Sequence, residues 1–167
     1  MRVAVLADTH GPRFWKGCPP GVARALEGVD LVLHAGDVCE PGVLDELAAY
    51  APVLVVRGNN DGEDVAAWGA PEVLETSLDG VRVAMVHDSG PATGRGRRLR
   101  RRFPDADLVV FGHSHIPWDE VHDGQRHFNP GSPTDKRRQP RPTLGELVLR
   151  DGLVVSSRIF PVDLPQG

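Results

Sequence analysis

Two histidines that follow a short apolar run in the second half of the chain are the first residues able to do chemistry. The run is Leu108–Phe111, and His113 and His115 come directly after Gly112. Four apolar residues predict a buried strand, because the run is too short for an ordinary helix. Glycine can end such a strand and let the backbone turn sharply. Two imidazoles just beyond a strand's carboxyl end, where open α/β sheets keep their ligands, indicate a metal site.

Four other apolar runs also end in side chains that can bind a metal. These runs are Val3–Ala7, Leu31–Leu33, Val53–Val56 and Val81–Val86. The polar side chains that follow them are Asp8, His10, His34, Asp37, Asn59, Asn60, Asp61, His87 and Asp88. Five of the chain's seven histidines stand at strand ends, a concentration that chance placement would not produce. If the strands are parallel or suitably ordered, all of these ends meet at one edge.

The ligand types predict the kind of metal site. Imidazole nitrogens with carboxylate and amide oxygens suit divalent Mn, Fe, Co, Ni, Zn or Mg. Seven such ligands exceed the needs of one tetrahedral zinc and fit two cations that share a bridging carboxylate. Two cations ~3.5–4 Å apart are the usual arrangement for in-line displacement at phosphorus. The pattern therefore predicts phosphoester chemistry at a dinuclear centre.

The elements that must position these residues alternate in the first half of the chain. Helices predicted over Val22–Leu26 and Pro41–Tyr50 separate three strands, which gives a βαβαβ unit with parallel strands. A helix predicted over Thr93–Phe103 precedes the strand that carries the two histidines. Asp-Gly pairs indicate hairpins in the second half. These hairpins join Val73–Leu78 to Val81–Val86, Asp119–His122 to Gln125–Phe128, and Leu144–Leu149 to Leu153–Phe160.

Length and composition are those of one globular domain over residues 1–167. Residues 161–167 are expected to form a loosely held tail. The hydrophobic share of 40% and charged share of 25% are ordinary, and the net charge of −4 gives no reason to expect a nucleic acid or a membrane as an obligatory partner. No signal peptide is expected, and no apolar run approaches the ~20 residues of a membrane span. Two cysteines argue against a disulfide framework and favour the reducing cytoplasm.

Taken together, the motifs resemble those of the calcineurin-like metallophosphoesterase family, most closely its short prokaryotic phosphodiesterase branch. They run from Asp8 to Ser132 in the family's order and spacing. The matching motifs are Asp8-x-His10, Gly36-Asp37, Gly58-Asn59-x-Asp61, His87 and Gly112-His113-x-His115. The resemblance implies an α/β fold that is a four-layer αββα sandwich, with two packed mixed β-sheets flanked by helices.

The resemblance also implies a ligand set for two divalent cations. One cation would be held by Asp8, His10, Asp37 and His115, and the other by Asp37, Asn59, His87 and His113. A hydroxide bridging the two cations would be the nucleophile, so Asp37, Asn59 and His113 are the residues expected beside the reacting atoms. Manganese is the metal expected first, with iron, nickel, zinc, cobalt or magnesium as alternatives.

The chain departs from the family at two positions. Asn60 stands where many members have a histidine that acts as general acid or phosphate contact, and an amide cannot deliver a proton to the leaving oxygen at neutral pH. This favours substrates with good leaving groups, or a water or another residue as the acid. The second departure is Asp88, which follows His87 where glycine is common and would alter the surroundings of the ligands.

Other polar residues near the motifs are expected to support the site. We expect His34 and Asp61 to orient metal-binding residues rather than to bind metal. Asn129-Pro130-Gly131-Ser132 fits a type II turn that supports the His113–His115 loop. The arginines that follow this turn could reach an anionic substrate bidentately. They are Arg137, Arg138 and Arg141.

The arginines of the third predicted helix and the two remaining histidines are expected to have structural rather than functional roles. Leu99 and Phe103 form a core-facing stripe on the Thr93–Phe103 helix, so its six arginines are expected on solvated faces rather than on a nucleic acid. His122 and His127 alternate in a hairpin and are expected on a solvated strand face.

The leading functional hypothesis is a metal-dependent phosphodiesterase that acts on a small phosphoester. Two divalent cations, two carboxylates and one hydroxide sum to a single positive charge, which a phosphodiester monoanion neutralises and a monoester dianion overshoots. The alternatives are a phosphomonoesterase on the same site, a protein-binding scaffold like the retromer subunit with this fold, and a metal-free nucleic-acid binder. In the leading hypothesis nucleic acid enters only as a possible substrate, and the oligomeric state is left open.

Overall fold

The structure, a computed structural model, describes residues 1–163 and divides them into ten strands and four helices. The strands form two five-stranded sheets. In chain order the elements are β1 (Arg2–Leu6), α1 (Pro20–Leu26), β2 (Leu31–His34), α2 (Pro41–Ala48), β3 (Val53–Val55), α3 (Glu63–Trp68), β4 (Val73–Leu78), β5 (Val81–Val86), α4 (Arg95–Arg102), β6 (Leu108–Val110), β7 (Trp118–His122), β8 (Gln125–Asn129), β9 (Thr143–Arg150) and β10 (Leu153–Pro161).

Both sheets mix parallel and antiparallel pairs. The first sheet has the order β10-β9-β1-β2-β3, in which β1, β2 and β3 are parallel and β9 is antiparallel to its neighbours. The second has the order β4-β5-β6-β8-β7, in which β5, β6 and β8 are parallel. The βαβαβ start and all three predicted hairpins are confirmed.

Alternating side chains of each strand separate the core into layers. Val3 and Val5 of β1 face the second sheet, whereas Ala4 and Leu6 face the helices, as the two-residue period of a strand requires. Helices α1, α2 and α3 cover the outer face of the first sheet, and α4 covers the outer face of the second through Leu99. The fold is thus the αββα sandwich that the sequence predicts.

Helix α3 and the placement of His127 differ from the sequence prediction. Helix α3 was not predicted, because six residues with one buried side chain, Val65, are too short to show a helical period. His127 is wrongly placed on a solvated face: it is only 1% exposed and hydrogen-bonds to Gln125, while His122 is exposed. The helix α4 covers the strand face that carries His127, which a hairpin pattern alone cannot show.

The end of the described chain is packed against the first sheet. Val162 is buried, and its N–H donates to the carbonyl of Pro142. The other residues of the segment predicted to be a loose tail, 164–167, lie outside the described residues. Among residues 1–163, none of the helices combines the length and the apolar character that a membrane crossing requires.

Candidate metal centre

The loops that follow six parallel strands meet at one rim of the sandwich. Strands β1, β2 and β3 supply loops from the first sheet, and β5, β6 and β8 supply loops from the second. Five of these loops follow apolar strands, and the sixth follows β8, which carries polar side chains, so the loops are anchored by the two sheets. The rim brings together Asp8, His10, Asp37, Asn59, His87, His113 and His115.

The first cluster contains Asp8, His10 and His115. Oδ1 of Asp8 lies 4.0 Å from Nε2 of His10 and 3.6 Å from Nε2 of His115. These three atoms are buried and have no hydrogen-bond partner among the described residues. Buried polar groups are almost always partnered, because an unpaired group loses its hydration without compensation. Three convergent orphan atoms therefore fit a bound cation.

The second cluster contains Asp37, His87, Asn59 and His113. Nε2 of His87 lies 3.4 Å from Oδ2 of Asp37 and 3.0 Å from Oδ1 of Asn59. Nδ1 of His113 lies 3.2 Å from the same asparagine oxygen. Oδ2 of Asp37 is also 3.6 Å from Nε2 of His10, so this carboxylate stands between the two clusters.

Hydrogen bonds on the outer ring nitrogens leave the inner nitrogens free to bind a metal. Nδ1 of His87 donates to the carbonyl of Ala35 at 2.7 Å, and Nδ1 of His115 donates to the carbonyl of Asp135 at 2.6 Å. A neutral imidazole that donates through Nδ1 keeps a lone pair on Nε2. Nδ1 of His10 lies 3.5 Å from the sulfur of Cys39.

Close packing of two loops fixes the central carboxylate. The carboxylate of Asp61 accepts three backbone N–H groups, those of Asp37, Cys39 and Gly58, at 2.7–2.9 Å. A Cβ added to Gly58 would lie 2.2 Å from Oδ1 of Asp37. Asp61 therefore joins the loops after β2 and β3, and the glycine lets them approach.

Many candidate ligands have a left-handed backbone. The φ angles of Asp8, His10, Asp37, His113 and His115 lie between 46° and 73°. Non-glycine residues seldom adopt this region, and such strain concentrates at functional sites. The sharp turn predicted at Gly112 occurs instead at His113, while Gly112 is required for close approach, since a Cβ there would lie 2.8 Å from the Ala7 side chain.

The pKa values of Asp8 and Asp37 are shifted in opposite directions. Burial and the charge of Asp37 together raise the pKa of Asp8 to about 7, against the opposing effect of His87. Burial also acts to raise the pKa of Asp37, but His87 and the hydrogen bonds from Asn60 outweigh it and hold that pKa well below its usual range. Burial lowers the pKa values of His10 and His115, which keeps these imidazoles neutral at pH 7.

Three supporting residues lie where the sequence predicts. His34 is fully buried, accepts the N–H of Gly36 on Nδ1 and faces the hydroxyl of Thr9 with Nε2, so neither nitrogen is free. Asn129 donates to the carbonyl of Gly112 and to the hydroxyl of Ser114, and so holds the His113–His115 loop. Asp61 joins two loops, as described above.

Asn60 and Arg138, both candidates for supporting the site or contacting substrate, lie in different surroundings: Asn60 contacts Asp37, and Arg138 is exposed. Asn60 donates its backbone N–H and its side-chain amide to the two oxygens of Asp37, at 2.9 and 2.8 Å. Arg138 is exposed, and no contact with the site is found for it among the described residues. Its neighbour Arg137 lies closer and influences the pKa values of Asp8, His10 and His115. Arg137 is also exposed, so its effect on these groups is that of a nearby charge rather than of a direct contact.

A cleft of about 490 Å³ opens beside the second cluster. Asn59 and His87 form part of its wall. The rest of the wall includes Arg57, Glu72, Val73, Asp88 and Arg102. This volume is within the range of small-molecule binding sites.

The donor set fits divalent cations. Imidazole nitrogens, carboxylates and an amide oxygen are ligands for Mn, Fe, Co, Ni, Zn or Mg. The side chains that could hold one cation are those of Asp8, His10, Asp37 and His115. Those that could hold another are Asp37, Asn59, His87 and His113. A carboxylate placed between two such clusters can bridge two cations.

The chain is similar to known proteins in sequence and in fold. A probable metallophosphoesterase from Methanothermobacter thermautotrophicus is 34% identical over 139 residues, which are 82% of this chain and 80% of that protein. The crystal structure of a point mutant of Vps29 from Entamoeba histolytica has a TM-score of 0.77 and 25% identity, covering 90% of this chain and 87% of that one. A novel archaeal phosphodiesterase has a TM-score of 0.74 and 22% identity, covering 96% and 99%.

Residues 1–152 match the calcineurin-like phosphoesterase superfamily domain. This segment contains every loop of the rim described above, from Asp8 to Asn129. The chain therefore belongs to the calcineurin-like phosphoesterase superfamily.

Proposed function

We propose that this protein is a phosphodiesterase that uses two divalent cations, manganese first among the candidates, and acts on a small phosphoester. The observation that carries the proposal is the central position of Asp37, whose Oδ2 lies 3.6 Å from His10 and 3.4 Å from His87. When bound, the cations would supply Lewis acidity for the phosphoryl oxygens and lower the pKa of a water so that hydroxide is available at neutral pH.

The residues of the chain set the geometry of the reaction. Asn59 and His113 would orient the phosphoryl group at the second cluster, because Oδ1 of Asn59 and Nδ1 of His113 lie only 3.2 Å apart there. The ester group would extend into the neighbouring cleft, whose wall contains Arg57 and Arg102. The loop that carries Arg137 approaches from the side of Asp8 and would favour an anionic substrate.

The acid that protonates the leaving group is not supplied by Asn60. Its amide donates to Asp37 and has no proton to transfer at neutral pH. We propose that substrates with good leaving groups react fastest, and that water protonates poorer ones. Phosphodiesters are favoured over monoesters because the rim is rich in carboxylates, among which Asp88 adds a negative charge beside His113.

Steady-state rates on an aryl phosphodiester and the matching aryl phosphomonoester, with Mn²⁺ present, test this proposal. We expect a higher kcat/KM for the diester, and a loss of at least ~100-fold when Asp37→Asn removes the shared carboxylate charge. Faster monoester turnover would contradict the diester preference.

A protein-binding scaffold is the second candidate, because the fold is shared with Vps29 at a TM-score of 0.77. Metal binding with no hydrolysis of any diester or monoester in a broad panel would favour it.

A further inference from the structure

The outer ring nitrogens of the candidate ligand histidines have two kinds of partner. Backbone carbonyls accept from His87 and His115, and substitution cannot remove them. The outer nitrogen of His113 faces a side chain instead, since its Nε2 lies 3.8 Å from Oδ2 of Asp88. This aspartate is one of the two departures from the family pattern.

The carboxylate of Asp88 is held in place by its own loop. Its Oδ1 accepts the N–H of Gly90 at 2.8 Å, which turns Oδ2 toward the imidazole. The loop is in turn fixed to helix α4. Arg98 donates to the carbonyl of Ser89 at 2.7 Å, and Arg95 donates to that of Gly90 at 3.3 Å. Asp88 is therefore presented to His113 by a packed loop rather than by a free surface side chain.

We propose that Asp88 is a positioning residue for His113. The Asp88 carboxylate accepts the Nε2–H of the imidazole, so that Nδ1 presents its lone pair to the second cation, on the side where Asn59 lies. The expected effect on cation binding rests on the proposed function, whereas the expected effect on the tautomer of His113 does not. The two groups are 3.8 Å apart, and a small rotation of the half-exposed imidazole is required to bring them to hydrogen-bond length. Ligating histidines usually donate their other N–H to such a partner, and its loss typically costs 10–100-fold in metal affinity.

The position also explains why the effect should be confined to one cation. Asp88 is not among the residues whose ligand atoms converge in either described cluster. The first cluster includes His115, whose outer nitrogen is already held by a backbone carbonyl. Removing the Asp88 carboxylate therefore leaves the first cluster unchanged and frees only His113.

The test uses two substitutions and one control. Asp88→Asn keeps the shape and can still accept the Gly90 N–H, but then presents an amide NH₂ to His113. Asp88→Ser can accept the same N–H but has no group that reaches the imidazole. Asp105→Asn is the control, because Asp105 is exposed and precedes β6, at the opposite end of that strand from His113.

Calorimetric titration of the metal-free proteins with Mn²⁺ gives the first readout. We expect the first cation to bind all four proteins equally, and the second to bind both Asp88 variants about 10-fold more weakly, near the lower limit because both side chains are half exposed. Equal second-cation affinity in all four proteins would overturn the inference. If the unaltered protein binds fewer than two cations, the proposed dinuclear function fails instead.

A second readout needs no metal. Long-range ¹H–¹⁵N spectra of the metal-free protein at pH 8 report the tautomer of each imidazole. We expect the fraction of His113 that carries its proton on Nε2 to be larger in the unaltered protein and in the control than in Asp88→Asn, although the Asn59 oxygen 3.2 Å from Nδ1 favours the Nδ1–H form when no cation is bound. An unchanged tautomer of His113 in that variant would overturn the positioning role, whatever the cations do.

Discussion

Individual residues at the rim are placed by backbone conformations that the core must enforce. Asp37 has a φ of 57°, and its backbone N–H and carboxylate both lie against the loop after β3. Such a conformation costs about 1–3 kcal/mol and persists only where neighbouring contacts determine it. Gly58 is one of these neighbours, since a Cβ there would lie 2.3 Å from the Asp37 nitrogen.

Gly58→Ala is expected to displace Asp37 and to abolish tight cation binding. Overpacking of this kind usually lowers the free energy of unfolding by about 1–3 kcal/mol, which urea denaturation measures. Gly42→Ala is the control: Gly42 is exposed in α2, its added Cβ meets nothing closer than 4.0 Å, and no destabilisation is expected. Unaltered cation affinity in Gly58→Ala would show that the close approach is not required.

His34 links the rim to pH-dependent stability. Burial lowers its pKa from 6.5 to about 3, so between these pH values the unfolded chain binds a proton that the folded protein does not. The contribution of this group to the free energy of unfolding is therefore complete above pH 6.5 and is lost as the pH falls toward 3.

Replacing His34 by glutamine removes this titration. In chelator, we expect the free energy of unfolding of the variant to fall less steeply between pH 6.5 and 4.5, by up to about 1.4 kcal/mol per pH unit. Urea denaturation at several pH values measures both slopes. Parallel slopes would mean that His34 is protonated in the folded protein.

The element with the least expected behaviour is helix α4. Arg95 was predicted on a solvated face, but it is 7% exposed and its guanidinium lies 4.8 Å from the ring centroid of Phe111 and 4.6 Å from that of Trp118. The reason is helical spacing: Arg95 is four residues before Leu99 and so shares its core-facing stripe. Arg97, Arg101 and Arg102 are exposed, as predicted.

Arg95→Ala is expected to lower the free energy of unfolding by about 1–3 kcal/mol, because it removes two desolvated cation–π contacts and the packing of the stem. Arg101→Ala on the exposed face of the same helix should change it by less than about 0.5 kcal/mol. Chemical denaturation of both variants makes the comparison, and equal effects would remove the structural role assigned to Arg95.

Elements were predictable where a strong local pattern defines them. The buried strands, the three Asp-Gly hairpins and the helix after Pro41 follow from apolar runs and turn residues. Helix α3 and the burial of His127 depend on contacts with distant segments, which leave no local period. At the rim, the side chains that converge could be predicted, whereas the turn of Asn60 toward Asp37 depends on how the loop after β3 packs against the loop after β2.

At the scale of the whole molecule, cation binding should stabilise the fold, since the ligands come from both sheets. A cation at 100 times its Kd adds about 2.7 kcal/mol to the free energy of unfolding. For a chain of this size that corresponds to roughly 5–11 °C in Tm. Differential scanning calorimetry with Mn²⁺ and with chelator measures the shift, which should vanish in Asp37→Ala. The same shift in that variant would place the stabilising cation elsewhere.

The central claim is that loops from two sheets hold two cations through one shared carboxylate, and anomalous diffraction from crystals grown with Mn²⁺ tests it most directly. We expect two manganese peaks, ~3.5–4 Å apart, with the carboxylate of Asp37 between them. A single peak, or peaks remote from Asp37, would contradict it.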